Sequence, residues 1–164
     1  MAAVNNKESS SSMCEFSYHV FLSFRGADTR KNFTDHLYTA LERAGIHVFR
    51  DDDAIERGAD IECDVEKAIR QSKMSLIVFS SNFASSSWCL DEVAMIMEHK
   101  KHHAGHIVLP VFYDVDPSEV QKQTGDLAEA FSGHGKRFKD EKIKRWRKAL
   151  CKVINLAGMV LHNR

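Results

Sequence analysis

Serines, a tryptophan, a thiol and two carboxylates are gathered in one segment, Ser80 to Met97, reading SSNFASSSWCLDEVAMIM. Trp88 and Glu92 are spaced i, i+4, so on a helix they share a face and set a carboxylate beside a large ring. That pairing is what a working site would look like. The same pattern suits an ordinary first turn, where the helix dipole favours acidic side chains, and Glu92 taken alone reads as a solvated charge. Cys89, at a helix start where a thiol can become nucleophilic, points away from both and reads as a small packed residue. A second cluster is His99, His102, His103 and His106, with i, i+4 spacings that suit zinc. Beside Lys100 and Lys101 it reads more simply as a basic helix end.

These side chains need elements to aim them. Ser75 to Phe79 is an apolar run of strand type, and after it Leu90, Val93, Ala94 and Met97 form a helical stripe facing a core, with Glu92 on the far side of that stripe. Earlier, Tyr18 to Phe24 predicts a first strand broken by Arg25-Gly26-Ala27-Asp28-Thr29. A helix with the stripe Phe33, Leu37, Ala40, Leu41, Ala44 follows, closed by Gly45 in a left-handed conformation. Ile46 to Phe49 is the second strand. Arg50 to Asp60 is a charged loop, and Asp60 caps a helix whose inward stripe is Ile61, Val65, Ala68, Ile69. Ile107 to Tyr113 is the fourth strand, where Pro110 predicts a bulge or an irregular stretch.

Residues 114–140 predict a proline turn, short helical pieces around Val120 and Leu127 to Phe131, and a loop at Gly133 and Gly135. A helix then carries Ile143, Trp146, Leu150, Ile154 and Ala157 on one face and basic residues elsewhere. Gly158 ends it before a fifth strand, Met159 to Leu161. Alternating strands and helices predict a flavodoxin-like three-layer α/β domain with a five-stranded parallel sheet in the order 2-1-3-4-5. In that winding a crevice opens at the carboxyl ends of strands 1 and 3, where Phe24 to Arg30 and Ser80 to Glu92 meet.

The 164 residues suit one folded domain over 17–164, after a polar, serine-rich lead-in over 1–16 expected to be disordered. Equal numbers of basic and acidic residues, 23 of each, argue against nucleic acid or an anionic membrane as partner. No apolar run could span a bilayer and no signal peptide is visible, so a cytoplasmic location is expected, with the nucleus left open. Cys14, Cys63, Cys89 and Cys151 form no CxxC pair and are expected as reduced thiols.

FLSFRGADTRKNF, FRDDDAIERGADI, SLIVFSSNFASSSWCLDEV, LPVFYDVDPSEV and WRKALCKVINLAG occur in this order, and the chain resembles the plant branch of the Toll/interleukin-1 receptor (TIR) domains over residues 17–164. The resemblance implies a role in plant innate immunity, self-association, and cleavage of NAD+ at its nicotinamide–ribose bond, with NAD+ a substrate, no cofactor or metal, and use of NADP+ left open. Glu92 matches the family's catalytic glutamate. Phe24, Arg25, Gly26 and Arg30 match the loop that contacts the dinucleotide, and Ser86 and Trp88 match positions lining the ribose and nicotinamide pocket. Asp51 to Ile61 matches a mobile loop over the site, where Glu56 replaces a basic residue beside Arg57. Asp35 and His36 match a serine-histidine pair used for association, with aspartate replacing the serine.

Plant relatives continue beyond the LAG block into a further amphipathic helix. A chain stopping at Arg164 therefore lacks the final family helix and is expected to be a fragment of a longer receptor or poorly stable alone. A non-catalytic signalling scaffold is the alternative function. A phosphoacceptor receiver domain, which shares the fold, is set aside because it needs an aspartate where this chain has Phe79-Ser80-Ser81.

Overall fold

The computed structural model describes residues 15–29, 31–50 and 61–162. The expected lead-in to residue 14, Arg30 and the charged loop 51–60 with Glu56 and Arg57 lie outside the described residues. Five parallel strands form one sheet: β1 (Tyr18–Phe24), β2 (Val48–Arg50), β3 (Ser72–Phe79), β4 (Ile107–Tyr113) and β5 (Met159–Leu161). Their spatial order is β2-β1-β3-β4-β5, the flavodoxin-like winding expected. The helices are α1 (Gly26–Thr29), α2 (Phe33–Arg43), α3 (Ile61–Arg70), α4 (Ser87–His102), α5 (Pro117–Lys122), α6 (Asp126–Gly135) and α7 (Asp140–Ile154), with a 3-10 turn at Phe83–Ser85. Among the described residues no helix is long and apolar enough to cross a membrane.

Strand alternation divides the core into two layers. Val20, Leu22, Phe24, Leu76, Val78 and Val111 face α2, whose Phe33, Leu37 and Leu41 pack on them half-buried. Phe21, Ile77, Phe79 and Phe112 face the opposite layer, built from α3 to α7, where Trp146 and Leu150 are buried. The α2 stripe is narrower than its periodicity suggests: Ala40 and Ala44 are exposed, and Thr34 is its one fully buried side chain. Gly45 has φ +79, the left-handed value expected of it.

Three local expectations are corrected. Pro110 makes no bulge: β3 and β4 pair without a break from Met74↔Ile107 to Phe79↔Phe112, including Ile77↔Pro110. A proline is tolerated there because the ladder to the outer strand starts only at Val111↔Met159. Gly133 and Gly135 lie within α6, whose buried Leu127, Phe131 and His134 hold it against the core beyond the expected end. The seventh helix stops at Ile154 and leaves Ala157 exposed, so Gly158 belongs to the entry of β5, where a Cβ would lie 2.6 Å from the Pro110 carbonyl oxygen. On β5, Met159 and Val160 remain about half exposed, at 51% and 47%.

Candidate functional site

The crevice lies where β1 and β3 end side by side, and named contacts join its two walls. Asp28, on α1 just beyond β1, is the hub. Its Oδ1 accepts from Arg25 Nη1 at 2.6 Å, while its Oδ2 accepts from the Ser80 hydroxyl and, at 3.2 Å, from the backbone N–H of Asn82. One carboxylate thus ties the loop leaving β1 to the loop leaving β3. Cys89 Sγ adds a longer contact, 3.7 Å to the carbonyl oxygen of Phe24.

Helix α4 carries Glu92 into this junction. Ser86 is its N-cap, the side chain accepting from Cys89 N at 3.2 Å. The helix lies between the sheet and the other helices, so burial wraps around it: Cys89, Leu90, Glu92, Val93, Ala94, Ile96 and Met97 are all buried. Glu92 is therefore not the solvated charge on an outer face that its helix pattern suggests. It is 2% exposed, and its Oε2 accepts a 2.6 Å hydrogen bond from the Ser23 hydroxyl on β1. A buried carboxylate is tolerated only when hydrogen-bonded or paired, and Ser23 supplies one such donor.

The start of α4 is held from behind as well. Trp146 Nε1–H donates to Asp91 Oδ1 at 2.8 Å, and Lys142 Nζ stands 3.4 Å from Asp91 Oδ2, so α7 grips the residue before Glu92. His134, buried on α6, donates from Nε2 to the Ala84 carbonyl oxygen at 2.8 Å and pins the 3-10 turn leading into α4.

Of the residues expected at the site, Arg25, Gly26, Ser86, Trp88 and Glu92 sit on the two walls, with Arg25 and Trp88 half-buried. Phe24 is buried on the α2 side of the sheet, so its side chain belongs to the core while its carbonyl faces α4. Arg30 is outside the described residues. Asp35 and His36 lie elsewhere, exposed in the first turn of α2, with Asp35 Oδ1 3.2 Å from Arg50 Nη1. Ser23 and Asp28 are not among the residues that the sequence pattern or the resemblance points to. A polar residue at an inward position of an otherwise apolar strand was the one available signal for Ser23.

The histidine cluster is a packed knot at the far end of α4. The His99 ring stacks on His103 at 4.3 Å and meets His106 edge-on at 4.7 Å. His106 is buried, its Nε2 2.8 Å from Ser75 Oγ, and burial pushes its imidazole down to about 4. Among the described residues no three histidines, cysteines or acids are grouped as a metal ion would require. Of the cysteines, Cys63, Cys89 and Cys151 are free thiols and Cys89 is buried, as its position predicts, while Cys14 lies outside the described residues. A cavity of about 630 Å³ between α3 and α4 is lined by Glu62, Cys63, Arg70, His99 and Arg145 among others, and by none of the crevice residues.

The family model for the TIR domain matches residues 17–164. The chain is 57% identical over 148 residues to disease resistance protein RUN1 of Vitis rotundifolia, covering 89% of this chain and 11% of that one. It is 51% identical over 152 residues to TMV resistance protein N of Nicotiana glutinosa, covering 92% of this chain and 13% of that one. The chain thus spans about a tenth of the length of the curated relatives it matches. Among solved structures, the TIR domains of the activated Roq1 resistosome, which directly recognizes the pathogen effector XopQ, superpose with a TM-score of 0.80 at 50% identity, covering 88% of both chains.

Proposed function

Because this chain belongs to the TIR domain family, we propose that it cleaves NAD+ at the nicotinamide–ribose bond, with Glu92 as the acting acid, to make nucleotide signals in plant innate immunity. The observation that carries the reading is a buried carboxylate, 2% exposed, at the carboxyl ends of β1 and β3. Ligands of such folds bind at that reversal of winding. Burial of an acid is unfavourable for the fold alone, which makes it a mark of a working site.

The chemistry suits the residues. The C1′–N bond breaks with its electron pair going to the pyridinium nitrogen, so nicotinamide leaves neutral and needs no general acid. Positive charge develops at the anomeric carbon, where a carboxylate stabilises it or holds the adjacent hydroxyls, as in glycoside cleavage, until water adds to that carbon and gives up its proton to solvent. Trp88 supplies an apolar wall for a ring, Ser86 lines the ribose side, and Arg25 and Arg30 offer charge to the diphosphate at the loop of Phe24 and Gly26. NADP+ is a second nucleotide of the same class.

Turnover accompanies assembly in this reading. The Roq1 domains belong to an assembled resistosome, and Asp35 and His36 on α2 are exposed for contact with a second copy. The domain acts in the cytoplasm. Clustered protein incubated with NAD+ is expected to release nicotinamide, Glu92→Gln is expected to release none while remaining folded by circular dichroism, and activity per molecule is expected to fall on dilution. Retained turnover in Glu92→Gln removes Glu92 from the mechanism. A clustered wild-type protein without turnover leaves the scaffold as the better description.

A further inference from the structure

We propose that Ser23 is the positioning residue for Glu92: its hydroxyl anchors one carboxylate oxygen, so that the acid keeps a single orientation at the crevice. The inference rests on the reading of Glu92 as the acid that acts on NAD+.

Ser23 breaks the pattern of its own strand. Val20, Leu22 and Phe24 pack toward α2, and Phe21 packs toward α4 and its neighbours. Alternation places Ser23 on the same side as Phe21, at 0% exposure, where an apolar residue would satisfy the fold. A hydroxyl taken from water into such a site is unfavourable unless it is bonded. Its bond is to Glu92 Oε2 at 2.6 Å, across 69 residues of sequence. Each member of this pair makes the burial of the other tolerable, and a well-packed apolar pair would stabilise the domain at least as well. Two such departures that meet at the ligand-binding end of the sheet mark a place where function overrides stability.

The geometry explains why the donor sits on β1. Ser23 is paired with Ile77 of β3, one residue past the end of the β2 ladder at Leu22↔Arg50, so its Oγ projects from a hydrogen-bonded strand with one side-chain torsion to settle. Glutamate has three, and an unanchored carboxylate would sample positions that do not face the ribose. Displacement of a catalytic group by about 1 Å can lower rates about 100-fold. A fixed hydroxyl on a paired strand removes that freedom before substrate arrives.

The test uses clustered protein and NAD+, with nicotinamide release followed for wild type, Ser23→Ala and Ser23→Thr. Removing a hydrogen bond to a charged group is expected to lower kcat by about 10- to 100-fold in Ser23→Ala, with KM little changed. Ser23→Thr, which keeps a hydroxyl, is expected to recover most of kcat. Unchanged kcat in a folded Ser23→Ala overturns the positioning role and leaves Glu92 in place. Equal losses in Ser23→Ala and a folded Ser23→Thr also overturn it, because packing and not the hydroxyl would then be responsible. If Ser23→Ala does not fold, Ser23→Cys, similar in shape but a weak donor, is read in the same way. A wild-type protein that releases no nicotinamide overturns the reading of Glu92 itself, and any catalytic role for Ser23 with it.

Discussion

Acidification from pH 7 toward 4 should destabilise this domain through one buried imidazole. His106 is 5% exposed, with Ser75 Oγ on β3 at its Nε2, the His99 ring on α4 against it, His103 nearby, and the Lys100 ammonium donating to its carbonyl oxygen at 2.9 Å. Burial, then the charges of His99 and Lys100, push its imidazole from 6.5 down to about 4. The sign follows from the unfolded chain, which takes up the proton near 6.5 while the folded protein refuses it until about 4. The stabilisation is whole above the unfolded value and is lost as pH falls through that window. At about 1.4 kcal/mol per pH unit, the window from 6.5 to about 4 is worth roughly 3 kcal/mol, a large share of a typical domain's stability. His99 is lowered too, by burial and by His103, and acts in the same direction. Urea unfolding of wild type and His106→Gln at several pH values from 7.5 to 4.5 provides the assay. The variant should be less stable at neutral pH, and the gap should close by most of that amount as pH falls. Parallel stability curves for the two proteins would refute the reasoning.

One further perturbation tests how the start of α4 is held, and another how β5 seats on β4. Trp146→Phe keeps most of the buried ring but removes the donor to Asp91, and should cost about 1.5–3 kcal/mol in chemical denaturation, with Asp91 freed from one of its two α7 partners. Gly158→Ala places a Cβ 2.6 Å from the Pro110 carbonyl oxygen and 2.8 Å from its Cγ, so β5 must move off β4. Its expected loss is about 1–3 kcal/mol, read as a lowered melting temperature.

The central strands β1, β3 and β4 were legible because they are largely buried runs bounded by polar residues, and the fourth strand has the same ends, Ile107 and Tyr113, in sequence and structure. Pro110 misled because a missing N–H says nothing about which neighbour it would have faced. The short second strand shifted from Ile46–Phe49 to Val48–Arg50, since three residues carry too little periodicity to mark their ends. Glu92 stood out by its place beside Trp88, but its burial was invisible: a helical stripe reports one buried face, and α4 is covered on more than one side. Ser23 and Asp28 show the deeper limit. Their partners lie 69 and more than 50 residues away, at Glu92 and at Ser80 and Asn82, and only the winding of the chain brings them together.

The convergence of Arg25, Ser80 and the Asn82 amide on Asp28 has a mechanical consequence. Loss of the guanidinium, as in Arg25→Ala, leaves this acid with two neutral donors, both on the opposite bank of the crevice. A change at Arg25 on one bank is thus carried to Ser80 and Asn82 on the other through one shared carboxylate. The loops leaving β1 and β3 are in this sense coupled at a single side chain.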